Sequence, residues 1–128
     1  MATMRTPLKN ARNLGSAKDG TEHFWHQRVT SVASLILFPF AIWVVLTLIG
    51  ADYDTVKRTL GNPIVALLLM LFVVTNVIHM RLGMQVIIED YVHGEGSKTV
   101  LLMLNTFFSI LVGLACVFAI LKLSFGAV

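Results

Sequence analysis

Three long apolar stretches, separated by short polar links, dominate the pattern of hydrophobic and polar positions along the chain. They cover residues 29–50, 63–88 and 99–123. Each is long enough to cross a hydrocarbon core as a helix, which takes about 20 apolar residues. The pattern therefore predicts an all-α integral membrane protein with three transmembrane helices.

The first 28 residues differ from the rest because they are largely polar and basic. We expect an N-terminal arm and interfacial segment over residues 1–28, followed by one three-helix transmembrane domain over residues 29–128. Phe24 and Trp25 suit the headgroup level of a bilayer, where aromatic rings are enriched. Asn62 and Pro63 predict the start of the second helix, as an N-cap followed by proline at the first helical position.

The composition agrees with a membrane protein: 56% of the 128 residues are hydrophobic, 13% are charged, and the mean hydropathy is +0.79. The net charge of +3 does not indicate nucleic-acid binding, because the basic residues are not interleaved with aromatic residues in a polar module. Positive charge is concentrated before the first span, which predicts an inside N-terminus and an outside C-terminus. The basic residues there are Arg5, Lys9, Arg12, Lys18 and Arg28. We expect a bacterial cytoplasmic membrane rather than a mitochondrial inner membrane.

His79 is an ionisable residue within the second apolar stretch, nine residues before Ile88. At 1.5 Å per residue this places it about 14 Å from the inner end of the helix. A polar ring at such depth costs several kcal/mol unless it finds a partner. Two interpretations remain open: a hydrogen bond to a neighbouring helix, or a ligand role.

The neighbours of His79 bear on the ligand interpretation. Thr75 and Gly83 each lie about 40° from it around the helix, and the glycine is expected to leave space for a flat macrocycle. Neutral imidazole is the usual protein ligand of b-type haem iron, often with a second histidine opposite. The remaining histidines, His23, His26 and His93, do not share the depth of His79, so a second ligand is expected from another chain.

Asp90 and Tyr91 lie where the second stretch reaches the membrane interface. If the helix continues that far, Asp90 returns to within about 20° of the His79 face and Tyr91 turns about 120° away. A phenol can donate to a quinone carbonyl that gains electron density, and a nearby carboxylate can relay a proton. The alternative is a solvated helix end. Arg81 lies about 200° from His79, where it could snorkel, pair with a partner carboxylate or line a polar route.

Two motifs carry a resemblance to a known family. The stretch "HMRLGMQV", which begins at His79, together with "DYVHG", which begins at Asp90, closely resembles the signature of the small hydrophobic membrane anchor of succinate dehydrogenase. The segment "GTEHFWHQRVTS" is similar to the aromatic residue and arginine that precede the first span in this family, here Phe24 and Arg28. The resemblance covers most of the chain, although only these two motifs are specific.

The resemblance implies a cytochrome b-type anchor that is not itself catalytic. His79 would be an axial ligand of the iron of a haem b shared with a second, cytochrome b-type anchor, and Arg28 would approach a haem propionate. Tyr91 would hydrogen-bond a ubiquinone carbonyl, with Asp90 in support. The implied partners are this second anchor, membrane lipid, an iron–sulfur protein with its clusters and a flavoprotein with FAD. Arg81 departs from the family pattern, in which this position is often uncharged, and this affects the expected polarity of the pocket.

Three alternative functions follow, of which the sequence disfavours the last. A fumarate reductase anchor would serve the reverse reaction, and sequence does not fix the direction. A cofactor-free structural subunit would use His79 only for hydrogen bonds between helices. A small proton-coupled transporter would call for a carboxylate within a span, whereas every Asp and Glu here lies in a tail, a link or a helix end.

Overall fold

The computed structural model describes residues 6–11 and 19–126, which contain five α-helices and no strand. The helices are α1 (Pro7–Ala11), α2 (Asp19–Leu48), α3 (Tyr53–Gly61), α4 (Pro63–Tyr91) and α5 (Glu95–Ser124). The prediction of an all-α protein is confirmed. Arg5, Arg12 and Lys18, on which the predicted orientation partly depends, lie outside the described residues, as do other parts of the predicted N-terminal arm.

Three of the helices are long and apolar enough to cross a membrane, over Gly20–Leu48, Pro63–Tyr91 and Glu95–Ser124. A helix of this length extends about 45 Å, which matches a bilayer with its headgroup regions. Many large apolar side chains point outward, for example Leu35 at 75%, Leu111 at 68% and Phe118 at 68% exposure. Lipid or another apolar chain is needed to cover such a surface. The prediction of three spans is confirmed.

Helix α2 begins at Asp19, ten residues before the predicted start of the first span. Residues 19–28 therefore continue the same helix beyond the apolar stretch, and the boundary predicted between residues 28 and 29 falls inside a helix. The physical reason is that a helix satisfies its backbone hydrogen bonds internally, so it can continue from hydrocarbon into the headgroup region. The helix also continues through Pro39. The helical turn α1 was not predicted.

Helix α4 has the predicted start and a later end. The side chain of Asn62 accepts a hydrogen bond of 3.0 Å from the backbone N–H of Ile64, and Pro63 occupies the first turn. The helix continues to Tyr91, and Val92 then adopts an extended conformation. The helix therefore extends three residues beyond Ile88, the predicted end of the second span.

Helices α2 and α4 run antiparallel, since Thr30 meets His79 and the earlier Gln27 lies beside the later Gly83. Helix α4 packs between α2 and α5. The beginning of α2 and the end of α4 lie at one end of the bundle, which we call the Tyr91 end. Helix α3 and the end of α5 meet at the opposite end, where a Cβ on Gly61 would lie 3.6 Å from the carbonyl oxygen of Leu123. The buried apolar core is small and consists of Leu37, Ala41, Val44, Ala66 and Ile88.

Helices α4 and α5 approach each other along a row of small and weakly polar residues. Asn105 donates a hydrogen bond of 3.0 Å from Nδ2 to the backbone oxygen of Arg81. One turn later Ser109 is only 1% exposed, and a further turn later a Cβ on Gly113 would lie 3.4 Å from Cγ1 of Val77. Small residues allow membrane helices to pack closely in this way. This row therefore forms part of the contact between α4 and α5.

The contact at Gly113 leads to a prediction about stability. Gly113→Leu should destabilise the bundle by about 1–3 kcal/mol, because even the first added carbon crowds Val77 and the rest must push α4 away. The midpoint of thermal unfolding in detergent should fall by several degrees. Ala115→Leu is the matched control, since Ala115 is exposed on the same helix. Equal midpoints for the two variants would contradict close packing at Gly113.

Candidate functional site

A stripe of polar side chains lies on the α2 face that packs against α4. The stripe consists of His23, Gln27, Thr30 and Ser34, whose spacings of four, three and four residues keep them on one helix face. All four are buried or half-buried. Among the described residues no hydrogen-bond partner is found for Nε2 of His23, Oε1 of Gln27 or Oγ of Ser34, although all three atoms are buried. This stripe therefore places polar groups between two helices that are otherwise largely apolar.

Thr30 connects this stripe to His79. Its hydroxyl oxygen lies 3.1 Å from Nδ1 of His79, and Thr30 is 8% exposed. The same oxygen lies 2.8 Å from the carbonyl oxygen of His26 and 3.1 Å from that of Gln27. His79 is half-buried, and none of the described residues makes a hydrogen bond to its Nε2. Nδ1 of His79 thus links α4 to α2, and Nε2 is available to a ligand.

His79 lies farther from the end of its helix than the sequence predicted. It lies twelve residues before Tyr91, the last residue of α4, and sixteen residues after Pro63, the first. These separations correspond to about 18 Å and about 24 Å along the helix axis. The imidazole therefore lies near the middle of its span, where a polar group needs a partner.

The prediction that Gly83 leaves room for a flat macrocycle stays a prediction. A Cβ on Gly83 would lie 3.7 Å from Nε2 of Gln27, which is ordinary van der Waals contact with the end of a flexible side chain. Thr75, on the other side of His79, is buried at 7% exposure. The face of α4 that carries these three residues points into the bundle.

The donor set at His79 is compatible with haem and not with an isolated metal ion. In the described part of the chain no group of three or more His, Cys, Asp or Glu residues could hold a metal ion. A haem needs less from the protein, because the porphyrin supplies the equatorial nitrogens and the chain supplies only axial ligands. An imidazole with Nδ1 engaged and Nε2 free meets this requirement.

The other histidines do not offer a second ligand at the same depth. His23 lies seven residues before Thr30 on α2, about 10 Å along the axis. His26 is exposed on the same helix, and His93 is exposed in the link between α4 and α5. Within the described residues, His79 is therefore the one imidazole near mid-span.

Arg28 is not brought to His79. It lies two residues before Thr30, and a helix turns about 200° over two residues, so Arg28 points away from α4. It is exposed, and its guanidinium carbon lies 4.9 Å from the centre of the Phe24 ring. Its surroundings form an apolar groove along α2 that includes Trp25 and Val32. The guanidinium is available to a partner outside the chain.

Asp90 and Tyr91 form the last turn of α4, which confirms that the helix continues that far. Tyr91 is 77% exposed, and Asp90 is also exposed. Neither side chain is hydrogen-bonded to another described residue, whereas Oε1 of Glu89 accepts from Nε2 of Gln85 at 2.9 Å. Tyr91 lies about 18 Å along the axis from His79. The two candidate sites are thus separate, one at mid-span and one at the Tyr91 end.

Sequence reasoning missed Thr30 as a contact of His79. The signal was present, because His23, Gln27, Thr30 and Ser34 recur at the spacing of one helix face. What the sequence does not provide is the axial register between α2 and α4, which decides which of the four residues meets the histidine. Arg81, whose role was left open, is exposed, and its backbone oxygen accepts from Asn105.

Comparison with known proteins places this fold in a family. A family model described as "Succinate dehydrogenase/Fumarate reductase transmembrane subunit" matches residues 2–121. The chain belongs to this family. The family assignment agrees with the three apolar helices and with the resemblance carried by the motifs around Arg28 and His79.

Individual relatives of this family support the assignment. A succinate dehydrogenase hydrophobic membrane anchor subunit of Paracoccus denitrificans is 34% identical over 96% of this chain and 95% of its own length. The subunit of the same name in Rickettsia bellii is 32% identical over 91% and 93% of the two chains. A succinate dehydrogenase membrane anchor subunit of Reclinomonas americana is 34% identical over 68% and 75%. No solved structure matches the chain.

Proposed function

We propose that this chain anchors a succinate:quinone oxidoreductase in the membrane, binds one face of a haem b and contributes to the site of ubiquinone reduction. The proposal depends chiefly on the hydrogen bonding of His79 near mid-span. Its Nδ1 is bonded to Thr30, and its Nε2 has no partner among the described residues. Family membership and the relatives' names support the anchor role.

In the proposed haem site, His79 would hold the iron through Nε2, and a further ligand would come from the second, cytochrome b-type anchor. The haem supplies a one-electron acceptor within the membrane. The contribution of this chain is to hold the imidazole in place, because Thr30 fixes Nδ1 and α2 packs against Gly83.

Arg28 is the proposed partner of a haem propionate. A guanidinium fork suits a carboxylate, and this one is exposed near the beginning of α2 with no acidic partner among the described residues. Arg28 lies only about 3 Å along the axis from Thr30 but on the other side of α2. The assignment therefore depends on the family resemblance more than on proximity to His79.

Tyr91 and Asp90 are proposed to serve the quinone at the Tyr91 end of the bundle. The phenol donates a hydrogen bond to the quinone carbonyl that gains electron density, and the carboxylate supports proton transfer from the aqueous side. Both side chains are exposed and unpaired in the described structure, which leaves them available to a ligand bound against a partner protein.

The proposed complex contains the second anchor, an iron–sulfur protein and a flavoprotein that carries FAD. Succinate is oxidised on the flavoprotein, and electrons pass to the membrane through the iron–sulfur protein. The family description also covers fumarate reductase, but the relatives are named for succinate dehydrogenase, which favours succinate oxidation. We place the chain in the bacterial cytoplasmic membrane with its N-terminus and the Tyr91 end inside.

Purification in a mild detergent tests the proposed complex. A tagged copy of this chain should co-purify with a flavoprotein, an iron–sulfur protein and a second small membrane protein, because its exposed apolar faces need partners. The same tag on an unrelated three-span protein is the control. Recovery of the chain without the flavoprotein and iron–sulfur protein would contradict the proposed assembly. A complete complex without a b-type haem spectrum would favour the cofactor-free alternative.

A further inference from the structure

We infer that Thr30 is a positioning residue that holds His79 in the tautomer that binds iron and thereby sets the reduction potential of the haem. This inference rests on the proposed function, in which His79 is the haem ligand. Thr30 does not touch the iron in this account. It acts through the hydrogen bond between its hydroxyl oxygen and Nδ1 of His79, 3.1 Å apart.

The direction of that hydrogen bond follows from the number of protons available. A threonine hydroxyl has one proton and two lone pairs. Its oxygen lies 2.8 Å from the carbonyl oxygen of His26, one turn earlier on the same helix, and a carbonyl can only accept. The hydroxyl proton therefore points to His26, and a lone pair remains toward the imidazole. We therefore assign the proton of the imidazole to Nδ1, which donates it to Thr30.

The tautomer decides which ring nitrogen can bind a metal. A neutral imidazole has one protonated and one unprotonated nitrogen, so a proton on Nδ1 leaves the lone pair of Nε2 free. The opposite tautomer would place a proton where the iron must bind. Because Thr30 is buried at 8% exposure, water does not readily replace its hydroxyl as the acceptor.

The same bond should influence the iron once it is bound. A hydrogen bond from Nδ1 raises the basicity of the ligand nitrogen, and a more basic ligand stabilises ferric over ferrous iron. The contribution of one neutral hydrogen bond corresponds to at most about a tenfold change in an equilibrium constant. For a one-electron couple, tenfold corresponds to about 59 mV.

Two substitutions in the intact complex separate the hydroxyl from the shape of Thr30. Thr30→Val keeps the volume and removes the acceptor, and it should shift the ferric–ferrous equilibrium up to about tenfold toward ferrous haem, raising the midpoint potential. The low-spin ferric signal in electron paramagnetic resonance should also change, because the ring is no longer held in one orientation. Thr30→Ser keeps the hydroxyl, and its potential and signal should match the unmodified complex.

Thr106→Val is the matched control. Thr106 makes the same type of bond to the carbonyl oxygen one turn earlier, Leu102, at 3.0 Å, but it lies on α5 and has no histidine contact. This variant should leave the potential and the signal unchanged. A complex that loses haem in Thr30→Val and keeps it in Thr30→Ser would support the inference as well.

Three results would overturn the inference about Thr30. One is an unchanged potential and signal in Thr30→Val. Another is an equal change in Thr30→Val and Thr30→Ser, which would show that packing matters and the hydroxyl does not. The third is an equal change in Thr106→Val. None of these results affects the ligand role of His79, which is tested separately by whether His79→Ala retains haem.

Discussion

Replacing His79 by alanine should abolish the b-type haem spectrum of the purified complex. The substitution removes the one imidazole that the described structure places near mid-span with a free Nε2. Loss of an outer partner of a metal ligand already costs about 10–100-fold in affinity, so loss of the ligand itself should cost more. The measurement is the difference spectrum between reduced and oxidised complex, normalised to the flavin content.

The substitution leaves no buried donor of this chain unpaired. Without His79, the hydroxyl of Thr30 keeps its hydrogen bond to the carbonyl of His26, so no buried donor loses its acceptor. Co-purification of the flavoprotein reports whether the variant complex has formed. His93→Ala is the matched control, because His93 is exposed in a link and should not affect haem. A full haem content with an unchanged spectrum in His79→Ala would contradict the ligand assignment.

Replacing Tyr91 by phenylalanine should reduce succinate–quinone reductase activity by about ten- to a hundredfold. A hydrogen bond to a group that gains charge contributes about 1.5–3 kcal/mol, and phenylalanine removes only the phenol that donates it. Succinate oxidation with an artificial dye that accepts electrons before the membrane should remain close to normal. The ratio of the two activities, measured on the same preparation, isolates the quinone step.

The chain offers a matched control for Tyr91. Tyr53 is the only other tyrosine, is 60% exposed and lies at the start of α3, at the opposite end of the bundle. Tyr53→Phe should leave both activities unchanged. Parallel losses of quinone and dye activity in Tyr91→Phe would place its effect in assembly or in succinate oxidation, and not at the quinone.

The three spans could be predicted from the sequence because a bilayer imposes a minimum length of apolar helix. The cap formed by Asn62 and Pro63 was equally accessible, since it depends on adjacent residues alone. The beginning of α2 at Asp19 could not be predicted, because the apolar pattern marks where the hydrocarbon begins and not where a helix begins. A helix that is hydrogen-bonded internally has no reason to stop at that boundary.

The candidate site was only partly predictable. The depth of His79 indicated that it needs a partner, and the structure provides Thr30 as that partner. Two contacts depend on how α2 is rotated and shifted in register against α4. They are the contact of Thr30 with His79 and that of Gln27 with Gly83. Many side-chain contacts between two helices decide that register together, and no short motif encodes it. For the same reason the sequence did not indicate that Arg28 points away from His79.

A structure of the intact complex tests the central claim most directly, through the distance from Nε2 of His79 to the nearest iron atom. We expect a bond of about 2.0–2.1 Å, as for other metal–imidazole contacts, with Nδ1 still within hydrogen-bond distance of the Thr30 hydroxyl and the opposite iron ligand supplied by another protein of the complex. An imidazole that faces lipid chains, with no porphyrin in contact with Nε2, would contradict the account.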